Sequence, residues 1–503
     1  MSDLPALLVA IPLLGSVTVM LAGLARSETG WPVAVGTCLV QTGMAVALAV
    51  RAAGEQPVRY VVGGFTAPFG IELVVDGLSA SMAVLVAVVA LGVLGYARAA
   101  GPRSNPFYAT YLLLVAGLSG MSVTGDVFNM YVFLEITGLA AYALVASGDS
   151  GRSARAALKY LLVGTIGASL FLLGIGFAYV ATGTLNMADL STQLAEVGYG
   201  SPLVQASFGL LVVGLFVKIA LFPLHTWQPS AYAGAPDSVS GLISALVSTI
   251  AAYALLRIVF TVFTVEFLLT NAFAQTVLVA GAAVSIVLGS VLAVTQREIK
   301  RMLAYSSVSQ FGLVVGAIAV ANGTALTGAA IHLVGHAIMK GGLFLTSGLV
   351  ATVTGARTVD DYRGLARRFP TGSAAFGVLA LAMVGVPPAV GFVGKWYIAL
   401  GAVEAGAWPL AVVILGSTLL TLAYFARVIE RMFFREPDGA AAGDGATDAT
   451  LAADGDGTDA GPPAVSTGMR VTVLLAAVLA VALGVAAVEY GQFLEPTIER
   501  LLS

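Results

Sequence analysis

The chain has 503 residues, of which 58% are hydrophobic and only 10% are charged, and its formal net charge at pH 7 is −3. Soluble domains carry about 25% charged residues, so a water-soluble fold of this composition would have too few polar side chains to cover its core. The composition therefore excludes a soluble globular protein, and it indicates a chain that is largely embedded in a lipid bilayer.

Apolar segments long enough to cross a bilayer, about 17 to 25 residues each, recur along nearly the whole chain. Several are rich in glycine, alanine and valine, which lets neighbouring helices approach closely. They predict an all-α polytopic membrane protein of about 14 transmembrane helices, with spans at 4–24, 31–50, 72–97, 107–123, 127–147, 158–181, 202–222, 236–262, 272–294, 301–320, 325–351, 373–401, 406–433 and 469–491.

The 24 lysine and arginine residues fall unevenly on the connections between these spans. Connections that follow odd-numbered spans hold 17 of them, the opposite connections hold 4, and 3 lysines lie inside spans. Cytoplasmic loops of membrane proteins carry the excess of positive charge. The sequence therefore predicts a multi-pass protein of the plasma (cell) membrane, with the odd-numbered connections in the cytoplasm and both termini outside.

One long connection differs in composition from the rest of the chain. Residues 434–468 are acidic and poor in large apolar residues, which favours a disordered, solvated cytoplasmic loop over a docking tail. This loop separates the preceding spans from a C-terminal helix predicted at 469–503. At the other end of the chain, residues 1–106 are predicted to form an N-terminal segment of three helices.

Two ionisable residues are predicted to lie at similar depth inside the membrane. Glu135 is near the middle of the fifth span and Lys218 is in the seventh. A single charge at the centre of a bilayer costs about 2.5 to 3.5 kcal/mol on insertion scales, so the carboxylate and the ammonium are natural partners. The two residues alone do not separate a structural ion pair from a transport site.

Prolines are predicted to break the seventh and twelfth spans. Pro223 has no N–H, and its ring clashes with the carbonyl of Ile219, beside Lys218. Broken helices next to ionisable residues recur at the binding sites of transporters, which favours transport, and His225 follows the proline by two residues. In the twelfth span the breaking residues are Pro387 and Pro388, with Lys395 after them.

The eleventh span carries three basic side chains at helical spacing. His332, His336 and Lys340 follow one another at intervals of four residues, so they share one face of a helix and extend over about 12 Å of its length. Histidine exchanges protons near neutral pH, which favours a proton ladder over structural hydrogen bonding. A metal site is the third alternative, but no third ligand is evident and the lysine would repel a cation. The sequence therefore predicts no metal.

Four segments of the chain are distinctive: FVKIALFPLHTWQPSAYAGAPDSVSGLISAL, TQREIKRMLAYSSVSQFG, HLVGHAIMKGGLFLTSG and VGVPPAVGFVGKW. They resemble the antiporter-like membrane subunits, a family that includes Mrp-type cation/proton antiporters and the pumping subunits of respiratory complex I and membrane-bound hydrogenases. The likeness extends over roughly residues 70–435, and the D subunit of the Mrp antiporters is the most similar in length and around Lys218.

The resemblance implies two inverted repeats, at 107–262 and 272–433, within a multisubunit complex. It also implies that Glu135 and Lys218 form a switching pair, that Lys340 is the central lysine of the proton path, and that Lys395 is its terminal lysine. One position departs from the family pattern, because Thr249 in the eighth span stands where many relatives have a lysine. We expect either His225 or water around Thr249 to bridge the path to Lys340.

The sequence thus predicts the proton-translocating subunit of an Mrp-type antiporter, which exchanges protons for Na⁺ or another cation and works with other membrane subunits in the lipid bilayer. The alternative is a proton-pumping subunit of a complex I-like NADH/quinone oxidoreductase or a hydrogenase. A scaffold without transport fits poorly with three buried lysines. The chain has no CxxC cluster, nucleotide loop or haem motif, so we expect no cofactor, no nucleic-acid partner, and a transporter subunit rather than an enzyme.

Overall fold

A computed structural model describes residues 3–26, 28–54, 56–436 and 465–503. The described residues are 84% helical, which confirms the predicted all-α class. The predicted acidic loop at 434–468 lies almost entirely outside the described residues, so the prediction for it stands untested.

Twenty α-helices and one hairpin of two strands follow one another along the described chain. They are α1 (Leu4–Ala25), α2 (Gly30–Ala52), β1 (Val58–Val61), β2 (Glu72–Val75), α3 (Gly77–Ala100), α4 (Asn105–Val123), α5 (Val127–Ala146), α6 (Gly151–Thr182), α7 (Met187–Val197), α8 (Pro202–Ile219), α9 (Gln228–Gly234), α10 (Asp237–Arg257), α11 (Thr264–Thr270), α12 (Ala272–Thr295), α13 (Ile299–Val320), α14 (Gly323–Thr354), α15 (Leu365–Arg368), α16 (Pro370–Val384), α17 (Val390–Glu404), α18 (Trp408–Phe434), α19 (Thr467–Val485) and α20 (Ala487–Leu502).

Thirteen helical spans in the described part of the chain are long and apolar enough to cross a membrane. The seventh is α8 with α9, and the eighth is α10 with α11. The predicted twelfth span is divided into α16 and α17, each of which has 15 residues and is too short to cross alone. Counting this divided span gives the 14 crossings predicted from the sequence, with breaks in the seventh and twelfth.

Several elements outside the bilayer-spanning helices were missed by the sequence prediction. Residues 72–75, which were assigned to the third span, form strand β2, and α3 begins only after Asp76, whose carboxylate accepts from the N–H groups of Leu78 and Ser79. The short helix α7 follows α6. The C-terminal helix predicted at 469–503 is two helices, α19 and α20, and α20 packs on α3 and α14.

Connections that follow odd-numbered spans contact one another at one end of the bundle, called here the basic end. Arg152 pairs with Glu298, Glu298 forms a β-bridge with Thr358, and Arg431 pairs with Asp360. At the opposite end the hairpin contacts the loop after α4, and the Gly77 N–H donates to Thr497 of α20. The predicted alternation of the connections is thus present in the fold. The assignment of the basic end to the cytoplasm stays a prediction.

Helices α10, α13 and α14 form the centre of the protein. Nearly all of their side chains are buried, and α10 and α13 both pack along α14. Helices α1 and α2 lie at the edge and expose apolar side chains such as Leu14, Leu24 and Val50, as expected for a surface that faces lipid. The predicted site residues on α10 and α14 are therefore buried within the protein.

Candidate functional site

Glu135 and Lys218, predicted as partners, meet between α5 and α8. The Lys218 Nζ lies 3.3 Å from Glu135 Oε1 and 3.3 Å from the hydroxyl oxygen of Tyr142. The lysine side chain is 6% exposed, whereas that of the glutamate is 24% exposed. The lysine is thus enclosed by the protein while its carboxylate partner reaches the surface of the bundle. The structure provides the pair, and its role in switching stays a prediction.

The seventh span breaks where the sequence predicted, directly after Lys218. Helix α8 ends at Ile219, and Ala220 takes a left-handed conformation with φ of 65°. Such a conformation is unfavourable for an alanine, and it turns the chain sharply out of the helix. The break leaves carbonyl groups of the last turn without helical donors. The indole N–H of Trp227 donates to the Val217 carbonyl at 2.8 Å, and the Ser248 hydroxyl donates to the Lys218 carbonyl at 3.3 Å.

Helix α10 lies between the broken span and α14. Its residue Ser248 contacts the Lys218 carbonyl on one side, as described above. On the other side α10 packs closely on α14, since Gly341 lies directly against Ala245 and Gly348 lies directly against Asp237. Because α10 and α14 run in opposite directions, positions one turn further along α10 match positions one turn earlier along α14.

That register locates Thr249, the residue that stands where many relatives have a lysine. Thr249 is one turn beyond Ala245 on the same face of α10, so it lies at the level of Ala337 and one turn from Lys340 and Gly341. Its side chain is fully buried, and its hydroxyl has no hydrogen-bond partner among the described residues. Ser248 and Thr249, which are adjacent on α10, therefore face the seventh and the eleventh spans, which carry Lys218 and Lys340.

His225 lies in the turn that joins α8 to α9. Its ring centroid is 5.1 Å from that of Phe222 and 5.8 Å from that of Tyr305 on α13, and its Nδ1 is buried without a hydrogen-bond partner among the described residues. Tyr305 is the neighbour of Ser306, which contacts Lys340. The structure thus brings His225 to α13, the helix whose Leu303 and Ser306 accept hydrogen bonds from Lys340, but not to Lys340 itself.

Lys340 is fully buried at the contact of α13 and α14. Its Nζ donates to the Leu303 carbonyl at 2.9 Å and to the Ser306 hydroxyl. No ion pair involves Lys340 among the residues that the structure describes. The central lysine therefore differs from Lys218, because only neutral oxygen atoms accept its hydrogen bonds.

The two histidines continue from Lys340 along α14. The ring centroids of His332 and His336 are 6.3 Å apart, and those of His336 and Phe311 are 4.6 Å apart at an interplanar angle of 60°. None of their four ring nitrogens has a hydrogen-bond partner within the described ranges, and the same is true of the Gln310 amide, one turn from Ser306 on α13. The described chain holds no group of three or more histidine, cysteine or acidic residues that could bind a metal.

Lys395 lies on α17, the second half of the broken twelfth span. Its Nζ donates to the carbonyls of Met383 and Val384 at 2.7 and 3.1 Å. These carbonyls belong to the last turn of α16, where the break removes their helical donors. Next to the lysine, Gly394 packs directly on His332. The structure thus brings the predicted terminal lysine to the end of the histidine series.

Residues 124–421 match the family described as "NADH:quinone oxidoreductase/Mrp antiporter, TM". The match covers more than half of the chain and includes all the site residues described above. The chain belongs to this family. The resemblance predicted from the four sequence segments is thereby confirmed.

Two relatives of this antiporter family point to its two branches. The chain is 45% identical over 443 residues to the N subunit of the NADH-quinone oxidoreductase of Desulforudis audaxviator, covering 86% of this chain and 87% of the relative. It is 32% identical over 378 residues to the D subunit of the Na⁺/H⁺ antiporter of Bacillus subtilis, covering 75% of this chain and 76% of the relative. Both likenesses support a membrane subunit of the kind that moves protons.

Solved structures of the antiporter family share the fold. A chain of the membrane-bound sulfane sulfur reductase, an archaeal respiratory membrane complex, superposes with a TM-score of 0.87 at 29% identity, covering 100% of this chain and 98% of that one. A chain of the Mrp complex from Dietzia superposes with a TM-score of 0.85 at 26% identity, covering 100% and 99%. Both are parts of multisubunit membrane complexes, which supports the prediction of membrane subunits as partners.

Two further buried ion pairs in this antiporter-family chain were missed from the sequence. Asp237 pairs with Lys300 at the basic end, and Asp76 pairs with Arg257 at 2.5 Å at the opposite end. All four residues were treated as parts of connections or span ends, because linear spacing carries no signal for a contact between α10 and α13 or between α3 and α10. Tyr142 and Ser306 were missed for the same reason.

Proposed function

We propose that this chain is the proton-translocating subunit of an Mrp-type antiporter complex, which exchanges protons for Na⁺ or another monovalent cation. The observation that carries the proposal is the Glu135–Lys218 pair at the break of the seventh span, at 3.3 Å. A structural clamp has no need of a broken helix, whereas transporters place their ionisable groups beside such breaks.

In the proposed path, protons move between Lys218 and Lys340 past α10 and continue along α14 to Lys395. An ammonium group beside a carboxylate is stabilised in its charged form, and separating the two groups removes that stabilisation. Movement of Glu135 relative to Lys218 would therefore drive proton transfer. Ser248 and Thr249 support transfer between Lys218 and Lys340, since they face the seventh and the eleventh spans. His336 and His332 support the continuation along α14 to Lys395.

A second candidate function is favoured by one specific observation. The N subunit of an NADH-quinone oxidoreductase is more similar to this chain, at 45% identity, than the D subunit of the Bacillus antiporter, at 32%. Under this alternative the same path would serve a redox-driven pump. The electron carriers would then lie on partner subunits, because this chain has no motif for a redox centre.

The two functions predict different driving forces, which one experiment separates. Membrane vesicles that carry the whole complex are given a pH gradient, and Na⁺, K⁺ or Li⁺ is added while the gradient is recorded with a fluorescent dye. An antiporter dissipates the gradient on addition of at least one cation, and vesicles with Glu135→Gln serve as the control. Proton movement that requires an electron donor and a quinone, and no added cation, would favour the second candidate.

We also propose that the basic end faces the cytoplasm and that both termini lie outside. In a variant in which Cys38, the single cysteine, is replaced by alanine, Asp149→Cys and Ser503→Cys should react with a membrane-impermeant thiol reagent from opposite sides. The expected result is labelling of Ser503→Cys in intact cells and of Asp149→Cys only in inverted vesicles. Labelling of both from one side contradicts the proposed topology.

A further inference from the structure

A cleft of about 720 Å³ opens at the basic end of the protein, on the side of the proposed path. Its walls come from the connections between α3 and α4, α5 and α6, α9 and α10, α12 and α13, and α14 and α15. The lining is polar and charged, with the side chains of Arg103, Asp149, Arg152, Glu298 and Arg357. Water and ions therefore have access to the ends of the helices that carry the path.

A carboxylate–lysine pair lies in this cleft where α10 and α13 begin. The Lys300 Nζ contacts the Asp237 carboxylate and donates to the Ala235 carbonyl and the Ser240 hydroxyl, each at 3.0 Å. The lysine side chain is 9% exposed and the aspartate side chain is 19% exposed. The Arg152–Glu298 pair, in contrast, lies on the outer wall of the cleft, with side chains that are 53% and 26% exposed.

The lysine of this pair is one helical turn from the atoms that bind Lys340. Lys300 precedes Leu303 by three residues on α13, and the carbonyl of Leu303 accepts a hydrogen bond from the Lys340 Nζ. Lys300 and Leu303 therefore lie on neighbouring turns of one helix.

The aspartate of the pair packs against α14, the helix that carries Lys340. Asp237 packs directly on Gly348, which is two turns from Lys340 on the same face of the helix. Eight residues of helix extend over about 12 Å. The cleft thus ends within about 12 Å of the central lysine, and α13 and α14 lead from one to the other.

We propose that Asp237 is the group through which the buried path exchanges protons with water at the basic end, and that Lys300 is a positioning residue that holds this carboxylate. A hydronium ion in the cleft gives a proton to a carboxylate oxygen of Asp237 and remains as water. The same proton then leaves toward Lys340, which restores the carboxylate. The reverse sequence delivers protons to the cleft, so the site serves flux in either direction. This inference rests on the proposed proton translocation.

The surroundings of Asp237 suit such an exchange. Lys300 holds one carboxylate oxygen, Oδ1, whose distance to Nη1 of Arg357 is 3.9 Å. The charged or titratable groups that face the pair are Glu298 just before α13, Arg357 and Tyr362 after α14, and Tyr96 on α3. A carboxylate that Lys300 holds at the edge of a polar cleft can exchange a proton with that cleft without leaving its place.

The test uses whole complexes in inverted vesicles, with the initial rate of cation-driven proton movement measured over a range of pH on the basic side. Asp237→Asn should lower the rate at least about tenfold, since a positioned proton-transfer group contributes about a hundredfold or more to the step that it serves. Asp237→Glu should restore much of the rate with a changed dependence on basic-side pH. The matched control is Asp149→Asn, an exposed carboxylate of the cleft wall outside the pair, which should keep the normal rate and pH profile.

A structural role for the pair gives different results. Asp237→Asn leaves the Lys300 ammonium without its carboxylate and can reduce assembly, so the double variant Asp237→Asn with Lys300→Gln is measured as well. Rates are normalised to assembled complex. The proposal is overturned if Asp237→Asn or the double variant retains the normal rate per complex. It is also overturned if Asp237→Glu has the normal pH profile. If the unaltered complex shows no proton movement at all, the proposed function fails, which is a separate result.

Discussion

The two broken helices, the seventh and the twelfth spans, solve one structural problem in opposite ways. In both, a helix ends inside the protein and leaves carbonyl groups without helical donors. In the seventh span the indole of Trp227 and the hydroxyl of Ser248 bind these carbonyls, so the ammonium of Lys218 remains available for Glu135. In the twelfth span Lys395 itself binds the carbonyls of Met383 and Val384.

The difference shows which lysine can change partners without disturbing the fold. Lys218 can move away from Glu135 while the carbonyls at the end of its own helix keep their hydrogen bonds to neutral groups. Lys395 cannot leave the carbonyls of α16 without exposing two buried acceptors, and each such unsatisfied group costs about 1 to 3 kcal/mol. We therefore expect the switching step to belong to the seventh span, and Lys395 to combine transport with a cap on the broken helix.

The largest expected effect comes from the pair in the seventh span. Glu135→Gln and Lys218→Ala should each abolish cation-dependent proton movement in vesicles, because each removes one charge of the proposed switch. The protein should still be present in the membrane in normal amounts. Glu196→Gln, on the exposed surface of α7, is the matched control and should transport normally. Near-normal transport in either pair variant would reduce the pair to a clamp between α5 and α8.

Two substitutions of Lys340 distinguish a role as a proton relay from a role as a fixed positive charge. Arginine keeps its positive charge under all ordinary conditions, so Lys340→Arg retains the charge but removes proton exchange. If Lys340 is a relay, Lys340→Arg should be nearly as inactive as Lys340→Ala in the vesicle assay. Both proteins must reach the membrane in normal amounts. A fully active Lys340→Arg would remove this residue from the proton path.

Lys395 should show two separable effects. Lys395→Ala should slow transport and also lower the thermal unfolding temperature of the purified complex, since it leaves the carbonyls of Met383 and Val384 without donors. Lys395→Arg keeps a donor group and should restore most of the stability but not the transport. Equal unfolding temperatures for the alanine variant and the unaltered complex would contradict the proposed cap.

The sequence was sufficient for the parts of this protein that depend on local composition and spacing. Long apolar segments predicted the spans, prolines predicted both breaks, and the interval of four residues predicted the shared face of His332 and Lys340. Contacts between distant segments had no such signal. Lys300 was counted only as one of many positive charges at the basic end, although its ammonium is buried against Asp237. Lys395 was assigned to the path, but its hydrogen bonds to α16 follow from packing alone.

The smallest expected effect concerns the link between the two broken helices, where Thr249 stands in place of the usual lysine. The structure brings Thr249 to the level of Ala337, one turn from Lys340, whereas His225 contacts Tyr305 instead. A buried hydroxyl can order a water molecule but cannot store a charge. Thr249→Ala should therefore slow transport only a few-fold, Thr249→Ser should be close to normal because it keeps the hydroxyl, and His225→Ala should have little effect. A severe defect in His225→Ala combined with a silent Thr249→Ala would instead place the link at the turn between α8 and α9. Normal rates in all three variants would mean that protons bypass α10, and the two broken helices would then work as separate paths.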